Sequence, residues 1–206
     1  MKIAIIGSGH IGAGLGRAWA KRGHAVVFGA RDPANAELVA LCAAIGATAA
    51  PVASAVRDAA VVALAVPAPA LAEVVAAAGD LAGAIVIDCT NAVERGMALT
   101  YGHTTSAAEE LQRRIPRARV VKSFNAQGAG NLADPIYAGV AATNFYCGDD
   151  ADAKAIVHGL IEDVGFEPVD AGPLASARLL EPLMIVWVTA AQALGTRDLA
   201  FKLLRR

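Results

Sequence analysis

The N-terminal stretch constrains the fold of this chain more than any other part of the sequence. Residues 2–6 form a short apolar run typical of a buried strand, and they lead into residues 7–12, which read GSGHIG. A helical pattern then runs to Arg22, and a second apolar run follows at residues 25–28. A strand, a glycine-rich turn, a helix and a second strand predict a βαβ unit with parallel strands.

The turn has the G-x-G-x-x-G spacing with which a dinucleotide fold holds a pyrophosphate. Gly7 allows a tight turn out of the strand, Gly9 allows a phosphate to approach the backbone, and Gly12 allows the helix to pack on the strand. The free N–H groups and the helix dipole would face the phosphates. We therefore predict dinucleotide binding, with glycines that serve packing alone as the alternative.

The end of the second strand selects between the two common dinucleotides. A fold that binds NAD has Asp or Glu there for the ribose 2′-hydroxyl, but this chain has Gly29 and Ala30. Arg31 follows and suits a 2′-phosphate, although a solvated surface arginine is the alternative. Asp32 precedes Pro33 and is interpreted as the N-cap of the next helix. The sequence therefore favours NADP(H).

Strand and helix patterns alternate along the rest of the chain. This alternation predicts an α/β fold, a Rossmann-type doubly wound and mostly parallel sheet with a short helical C-terminal extension. We expect residues 1–206 to form one NADP-binding domain, in which residues 175–206 are the extension. The main predicted elements after the first unit are helices at 33–45, 70–78, 106–114, 151–164, 176–194 and 199–206, and strands at 47–50, 60–66, 84–88, 119–122, 141–147 and 167–170.

Ligands of such a sheet bind outside the carboxyl ends of its strands. Val66 and Pro67 end one strand and are predicted to lie beside the cofactor. Asn91 and Asn125 follow two further strands, and each could hold a carboxamide or a ribose hydroxyl. An Asx turn is the alternative for each asparagine.

No residue is assigned a catalytic role. Lys122, at a strand end, is the candidate general acid, and a surface lysine is the alternative. His10 would contact the cofactor through its backbone and is not interpreted as catalytic. Cys89 has no histidine predicted nearby, so we expect it to be a buried structural cysteine.

Composition narrows the classes of function and partner. The net charge of −1 argues against nucleic acid as a partner. The three cysteines lie far apart, which argues against a disulfide framework and favours the cytoplasm. The four histidines share no metal-binding spacing, so no metal site is predicted. No secretory signal is evident, and residues 179–195 are expected to form a buried or interface helix, not a membrane span.

Six motifs occur in an order that resembles a known family. They are residues 7–12, GHAVVFGAR at 23–31, KSFN at 122–125, CGDD at 147–150, DAGPL at 170–174 and LLEPL at 179–183. Together they resemble the NADPH-dependent deazaflavin (coenzyme F420) reductase family, which includes the NADPH-binding domain of the transmembrane metalloreductases. The resemblance covers essentially the whole chain.

The resemblance implies hydride exchange between NADP(H) and a flavin-like ring. The acceptor it implies is coenzyme F420 or a flavin, and the Phe-Asn pair at 124–125 is more similar to the metalloreductase group, which implies ferric reduction as a use. Catalysis would then rest on positioning the two rings and not on a dedicated side chain. The contacts it implies are Ser8, Gly9, His10 and Ile11 at the pyrophosphate, Ala30 and Arg31 at the 2′-phosphate, and Asn35 where related reductases carry a lysine.

Two other classes of function stay open. β-Hydroxyacid dehydrogenases and imine reductases resemble the first half, but they build the substrate site with a large helical C-terminal domain, and only one long helix is predicted here. A non-catalytic NADP(H)-binding redox sensor would fit the few catalytic candidates. In the long helix, residues 184–188 are apolar on every side, so we expect this helix to contact a second copy in a homodimer.

Overall fold

The structure is a computed structural model that describes residues 1–94 and 96–206. Strands and helices alternate through most of the chain. The strands are β1 (Lys2–Ile6), β2 (Ala25–Ala30), β3 (Thr48–Pro51), β4 (Val61–Leu64), β5 (Ile85–Asp88), β6 (Arg119–Ser123), β7 (Ile136–Tyr137), β8 (Val140–Ala141), β9 (Thr143–Gly148) and β10 (Glu167–Asp170). The α-helices are α1 (His10–Lys21), α2 (Ala36–Ile45), α3 (Val52–Val56), α4 (Leu71–Ala78), α5 (Ala107–Arg114), α6 (Ala151–Val164) and α7 (Ala177–Leu194).

Eight strands form one sheet in the order β10-β9-β6-β5-β4-β1-β2-β3. All neighbouring pairs are parallel except β6 and β9, which are antiparallel. The chain moves outward from β1 through β2 and β3 and then returns to β4 on the other side of β1. This reversal is the topological switch point at which open α/β sheets bind ligands. The predicted mostly parallel, doubly wound sheet is therefore confirmed.

Helices cover both faces of the sheet because successive strand residues point to opposite sides. Ile3 and Ile5 belong to the apolar cluster that also contains Leu15 and Trp19 of α1. Ala4 and Ile6 belong to the cluster on the other face, to which α3, α5 and α7 contribute. This two-sided burial explains the continuous apolar runs of the central strands.

The start of α2 differs from the prediction. Asn35, not Asp32, is the N-cap, because Asn35 Oδ1 accepts from the N–H groups of Glu37 and Leu38 at 3.1 and 3.2 Å. Asp32 Oδ1 instead accepts from Ala34 N–H at 3.0 Å in an Asx turn. Both residue types favour either role, and the local turn after Asp32 moves the cap three residues along.

Two features near the C-terminal half were also not predicted correctly. Residues 199–206 were predicted to be helical, but they are not helical in the structure. They run beside the start of β9, where Thr143 N–H donates to Phe201 O at 2.8 Å and Leu203 N–H donates to Thr143 Oγ1 at 3.0 Å. The β7–β8 hairpin, which turns at Ala138 and Gly139 with φ of 49° and 80°, was missed.

Helix α7 carries the longest apolar stretch. The helical residues Leu174–Leu194 are long and apolar enough to cross a bilayer by length and composition, with a mean hydropathy of 1.4. Core helices pass the same test, so this is weak evidence for a span. Trp187 and Glu181 of this helix are buried against the rest of the protein.

Candidate functional site

The glycine-rich turn has the backbone geometry that its sequence predicts. Gly7 has a φ of +105°, and a Cβ at Gly7 would lie 2.4 Å from Ala65 O. A Cβ at Gly12 would lie 1.9 Å from Gly7 O, so α1 can pack this closely only with glycine there. A Cβ at Gly9 would meet no protein atom within 4 Å. Two glycines are thus required by packing, whereas the space beside Gly9 is open.

The N-terminus of α1 is free to bind an anion. Gly9 is its N-cap and contributes no side-chain hydrogen bond. The first hydrogen bond of the helix runs from Ala13 N–H to Gly9 O at 2.8 Å. Ser8 and His10 are exposed beside it, and Ile11 is half-buried. Such a terminus combines free N–H groups with the positive end of the helix dipole, which suits a pyrophosphate.

A smaller cavity of about 250 Å³ lies at the ends of β1, β2 and β4. Arg31 is exposed at this cavity and forms no ion pair within the described ranges. Glu73 of α4, which the sequence interpretation missed, also lines it. Six residues predicted to bind the cofactor line this cavity: Gly7, Ser8, Ala30, Arg31, Val66 and Pro67.

Asn35 lies outside this cavity lining. Its side-chain oxygen is used as the N-cap of α2, as described above. Its amide nitrogen is the group that stays available to a phosphate, and it carries no charge. Contact between Asn35 and the cofactor stays a prediction.

A larger cavity of about 990 Å³ begins at His10 and Ile11 and continues past Gln127 to Trp187 and Arg197. The β7–β8 hairpin forms another side of it through Asp134 and Tyr137. Trp187 is buried, its Nε1 donates to Leu199 O at 2.9 Å, and the Arg197 guanidinium lies 5.9 Å from the ring centroid. The cavity thus joins the dinucleotide turn to an aromatic side chain and an exposed cation.

Asn91 and Asn125 are brought together, and they bind each other. Asn91 Nδ2 donates to Asn125 O at 2.8 Å, and Asn125 Nδ2 donates to Asn91 Oδ1 at 3.0 Å and to Leu180 O of α7 at 2.8 Å. Phe124, which immediately precedes Asn125, has a φ of 59°, a strained value for a buried aromatic residue. Neither asparagine uses its side chain in an Asx turn.

Lys122 is neither a surface lysine nor a general acid that a substrate could reach, because its side chain is 0% exposed. Its Nζ lies 2.9 Å from Asp88 Oδ2 and 3.1 Å from Glu181 Oε1, and it donates to Thr90 O at 2.6 Å. Burial alone would lower the pKa of Lys122, but the two carboxylates outweigh it and raise that pKa above its usual value. The ammonium therefore stays charged and joins β5, β6 and α7.

Glu181 extends this network to α5. Its carboxylate accepts from the N–H groups of Ala107 and Ala108 at 3.1 and 3.2 Å, at the positive end of that helix.

Burial raises the pKa of Cys147 to about 12 and also raises that of Cys89, so both thiols stay neutral, as expected for structural cysteines. No group of three potential metal ligands occurs among the residues that the structure describes.

Comparison with known proteins identifies the family. The family model described as NADP oxidoreductase, coenzyme F420-dependent, matches residues 2–92. A crystal structure from Arthrobacter sp. FB24, provisionally assigned as an F420-dependent NADP reductase, is 32% identical with a TM-score of 0.92, and the match covers 100% of both chains. The chain belongs to this family. It is accordingly an NADP-dependent oxidoreductase.

Other relatives of this NADP-dependent oxidoreductase extend the comparison. A hypothetical protein of Sinorhizobium meliloti is 33% identical, with a TM-score of 0.77 and coverage of 86% of this chain and 88% of that one. The metalloreductase STEAP3 of Rattus norvegicus is 33% identical over 186 residues, but this chain spans only 36% of its length. A reductive aminase of Aspergillus terreus, at 20% identity and a TM-score of 0.69, shares the fold.

The site residues that the sequence analysis did not predict are those that depend on contacts between distant elements. Gln127, Tyr137 and Trp187 line the larger cavity, and Asp88 and Glu181 hold Lys122. Only Glu181 carried a signal, because an acidic residue inside an apolar helix is almost never buried without a partner. The others look like ordinary loop or core residues in the sequence.

Proposed function

We propose that this oxidoreductase transfers a hydride between NADP(H) and a flavin-type acceptor, which is coenzyme F420 or a flavin. The larger cavity carries the proposal, because it opens at the dinucleotide turn beside His10 and has Trp187 in its wall. Its volume of about 990 Å³ suits a multi-ring ligand next to a nicotinamide. The names of the family and of the Arthrobacter relative support F420, and the metalloreductase relative supports including ferric chelates as final electron acceptors.

The residues at the smaller cavity fit NADP(H). We propose that the N-terminus of α1 holds the pyrophosphate through backbone N–H groups, with the open space beside Gly9 allowing close approach. Arg31 would bind the 2′-phosphate, because it is exposed and unpaired within the described ranges and Ala30 brings no competing carboxylate. Val66 and Pro67 would line the adenosine part of the site.

Catalysis in this proposal rests on placement of the two reactants. Bound NADPH supplies the hydride, and the acceptor ring takes up this hydride and one proton from solvent. The protein would hold the two reacting ring atoms at about 3–3.5 Å and limit access of water. Lys122 supports this geometry only indirectly, since its ammonium is sealed between Asp88 and Glu181.

Anaerobic oxidation of NADPH, followed at 340 nm, tests the proposal. The assay is run with a deazaflavin, FMN, riboflavin and ferric chelates, and with a ketone plus amine as the imine-type control. We expect turnover with at least one flavin-type acceptor. Tight NADPH binding without turnover by any acceptor would contradict the proposal and favour a redox sensor. Turnover restricted to the imine pair would favour the other enzyme class.

We also propose that the exposed face of α7 forms a homodimer contact. Leu179, Val186 and Leu194 expose 73%, 54% and 69% of their surface, which is unusual for large apolar side chains on one helix. Light scattering should give a dimer mass at micromolar concentration, and a Leu179→Glu, Val186→Glu variant should give a monomer mass. A wild-type monomer would contradict this proposal.

The whole chain is proposed to act as one NADP-binding unit in the cytoplasm. Hydrogen bonds and ion pairs connect α7 to the sheet through Glu181 and to α5 through Arg178. Cys42, Cys89 and Cys147 are free and buried, which suits a reducing compartment. Fractionation of the native cell with an antibody against the chain checks the location.

A further inference from the structure

The larger cavity contains a positive charge that the protein itself does not neutralise. Arg197 is the only lysine or arginine among the described residues that line this cavity. Its side chain is exposed, so a ligand in the cavity can reach it. Arg197 forms no ion pair within residues 1–94 and 96–206. A guanidinium in this position is a binding group for an anion.

The chain holds Arg197 in a defined place beside Trp187. Helix α7 ends at Gly195, whose φ of 65° turns the backbone out of the helix. The next turn is closed by Thr196 Oγ1, which accepts from Asp198 N–H at 3.0 Å. The guanidinium carbon of Arg197 lies 5.9 Å from the centroid of the Trp187 ring, which is within the range of a cation–π contact. Because the side chain is already positioned, less conformational entropy is lost when it binds a ligand.

Contacts between distant segments fix the wall on which Arg197 lies. Leu199 O accepts from Trp187 Nε1 at 2.9 Å and from Asn131 Nδ2 at 3.0 Å. A Cβ at Gly128 would lie 2.6 Å from Trp187 Cζ2, so glycine is what lets the indole lie against the loop after β6. Asn131, Gly128 and Trp187 also line the cavity. The C-terminal segment, α7 and this loop thus build one side of the cavity together.

Two carboxylates line the same cavity, and neither forms an ion pair with Arg197. Asp134 Oδ1 accepts from Ile136 N–H at 3.0 Å, and Asp198 lies beside the hydroxyl of Tyr137. Burial and, to a smaller extent, Asp198 raise the pKa of Tyr137 to about 12, so this phenol stays neutral. The carboxylates reduce the net attraction for an anion, so we expect a moderate preference.

Each of the two cavities has a single arginine among its described lining residues. In the proposed function Arg31, at the smaller cavity, binds the 2′-phosphate of NADP(H). The larger cavity extends from His10 at the dinucleotide turn to Arg197. A guanidinium binds a phosphate through two N–H groups at once. Arg197 therefore matches a hydride acceptor whose ring lies towards His10 and whose side chain ends in a phosphate.

We propose that Arg197 makes the enzyme selective for flavin-type acceptors that carry a phosphate on their side chain, and that its guanidinium binds this phosphate. This inference rests on the proposed function, because it assigns the flavin-type acceptor to the larger cavity. Arg197 binds and orients the acceptor and takes no part in hydride or proton transfer. NADP(H) also carries phosphates, so the test must separate the two sources of the anion.

The test compares acceptors that share a ring and a ribityl chain and differ only in the phosphate. The probes are riboflavin and FMN, and 5-deazariboflavin and its 5′-phosphate. Their dissociation constants are measured by fluorescence with saturating NADP⁺, at low and at high ionic strength. The proteins are wild type, Arg197→Gln, Arg197→Lys and the control Arg117→Gln, which removes an exposed arginine that lines neither cavity. The dissociation constant of NADPH and the steady-state constants are measured for each protein.

In the wild type and in Arg117→Gln at low ionic strength, we expect each phosphorylated ligand to bind about five- to tenfold more tightly than its partner without phosphate. In Arg197→Gln this ratio should fall to about twofold or less, because the charge and the paired donors are lost. Arg197→Lys should keep about threefold, because lysine retains the charge alone. High salt should lower the wild-type ratio, since exposed charges are screened. Affinity for riboflavin and for NADPH should stay within about twofold in every variant, because neither ligand uses Arg197.

Three results would overturn the inference. One is equal binding of FMN and riboflavin by the wild type at low ionic strength. Another is a ratio that survives in Arg197→Gln. The third is weaker NADPH binding by Arg197→Gln with an unchanged ratio, which would assign a phosphate of the cofactor to this arginine. The binding ratio is measured without turnover, so absence of wild-type turnover with every flavin-type acceptor would instead contradict the proposed function.

Discussion

The two halves of the ligand-binding edge are built in different ways. The half around β1, β2 and β4 takes its shape from closely packed backbone, which depends on Gly7 and Gly12, two residues that lie close together in the sequence. The half around β5, β6 and α7 consists of side chains from distant segments, such as Lys122 and Glu181, which are 59 positions apart in the numbering. In the proposed function, the first half binds NADP(H) and the second half supports the acceptor side of the site.

The largest effect on stability is expected from a change in the buried charges of the second half. Lys122→Met leaves Asp88 and Glu181 buried without their shared cation, so we expect a loss of about 3–5 kcal/mol in the free energy of unfolding. Urea denaturation measures it. The control Lys154→Met removes an ion pair with Asp170 at the surface and should have a much smaller effect. Equal effects of the two variants would mean that the buried network does not stabilise this half.

Two glycine variants separate packing from ligand binding in the first half. Gly12→Ala places a Cβ against Gly7 O, so we expect it to destabilise the fold by about 1–3 kcal/mol. Gly9→Ala meets no protein atom, so it should keep its melting temperature and weaken NADPH binding tenfold or more. Gly159→Ala, which also has open space on α6, should leave NADPH affinity unchanged. Unchanged NADPH affinity in Gly9→Ala would show that the phosphates do not approach this turn.

The smallest effect on stability is expected for the ion pair between α7 and α5, in the second half of the ligand-binding edge. The hydrogen bond from Arg178 lowers the pKa of Glu109, whose oxygens lie 2.9 and 2.5 Å from the guanidinium nitrogens. A lowered pKa stabilises the folded state at neutral pH, and this contribution is lost as pH falls below the ordinary carboxyl value of about 4.5 through the lower, folded-state pKa.

The difference in unfolding free energy between wild type and Arg178→Met should therefore be constant from pH 7 to about pH 5 and should shrink below it. Thermal unfolding at a series of pH values measures this difference. Arg117→Met, which removes an exposed pair with Asp80, is the matched control. A difference that grows as the pH falls would contradict the assigned sign.

The two halves of the ligand-binding edge also differ in how well the sequence predicted them. The strands of the eight-stranded sheet, the glycine turn and the placement of Ala30 and Arg31 at a strand end followed from local patterns, because each depends on neighbours in the chain. Lys122 was misjudged since its two carboxylates come from other elements, and burial cannot be deduced from a strand-end position alone. Gln127 gave no signal, because its hydrogen bond to Thr143 O joins segments that are not neighbours in the chain.

Asp32 and the C-terminal residues show a different limit of sequence analysis. Asp32 and Asn35 are both good N-caps, and a propensity cannot decide between two candidates three positions apart. The segment 199–206 has a helical composition, but its backbone binds Thr143 beside β9. In both cases a tertiary or local hydrogen bond outweighed the intrinsic preference.

Binding of NADPH and NADH, measured by titration calorimetry for the wild type and for Arg31→Ala, tests the central claim most directly. We expect the wild type to bind NADPH at least tenfold more tightly than NADH, which corresponds to about 1.4 kcal/mol. Arg31→Ala should remove this margin and leave NADH affinity unchanged, because only the 2′-phosphate distinguishes the two ligands. Equal binding of NADPH and NADH by the wild type, or a margin that survives in Arg31→Ala, would contradict the assignment of the half around β1, β2 and β4 to NADP(H).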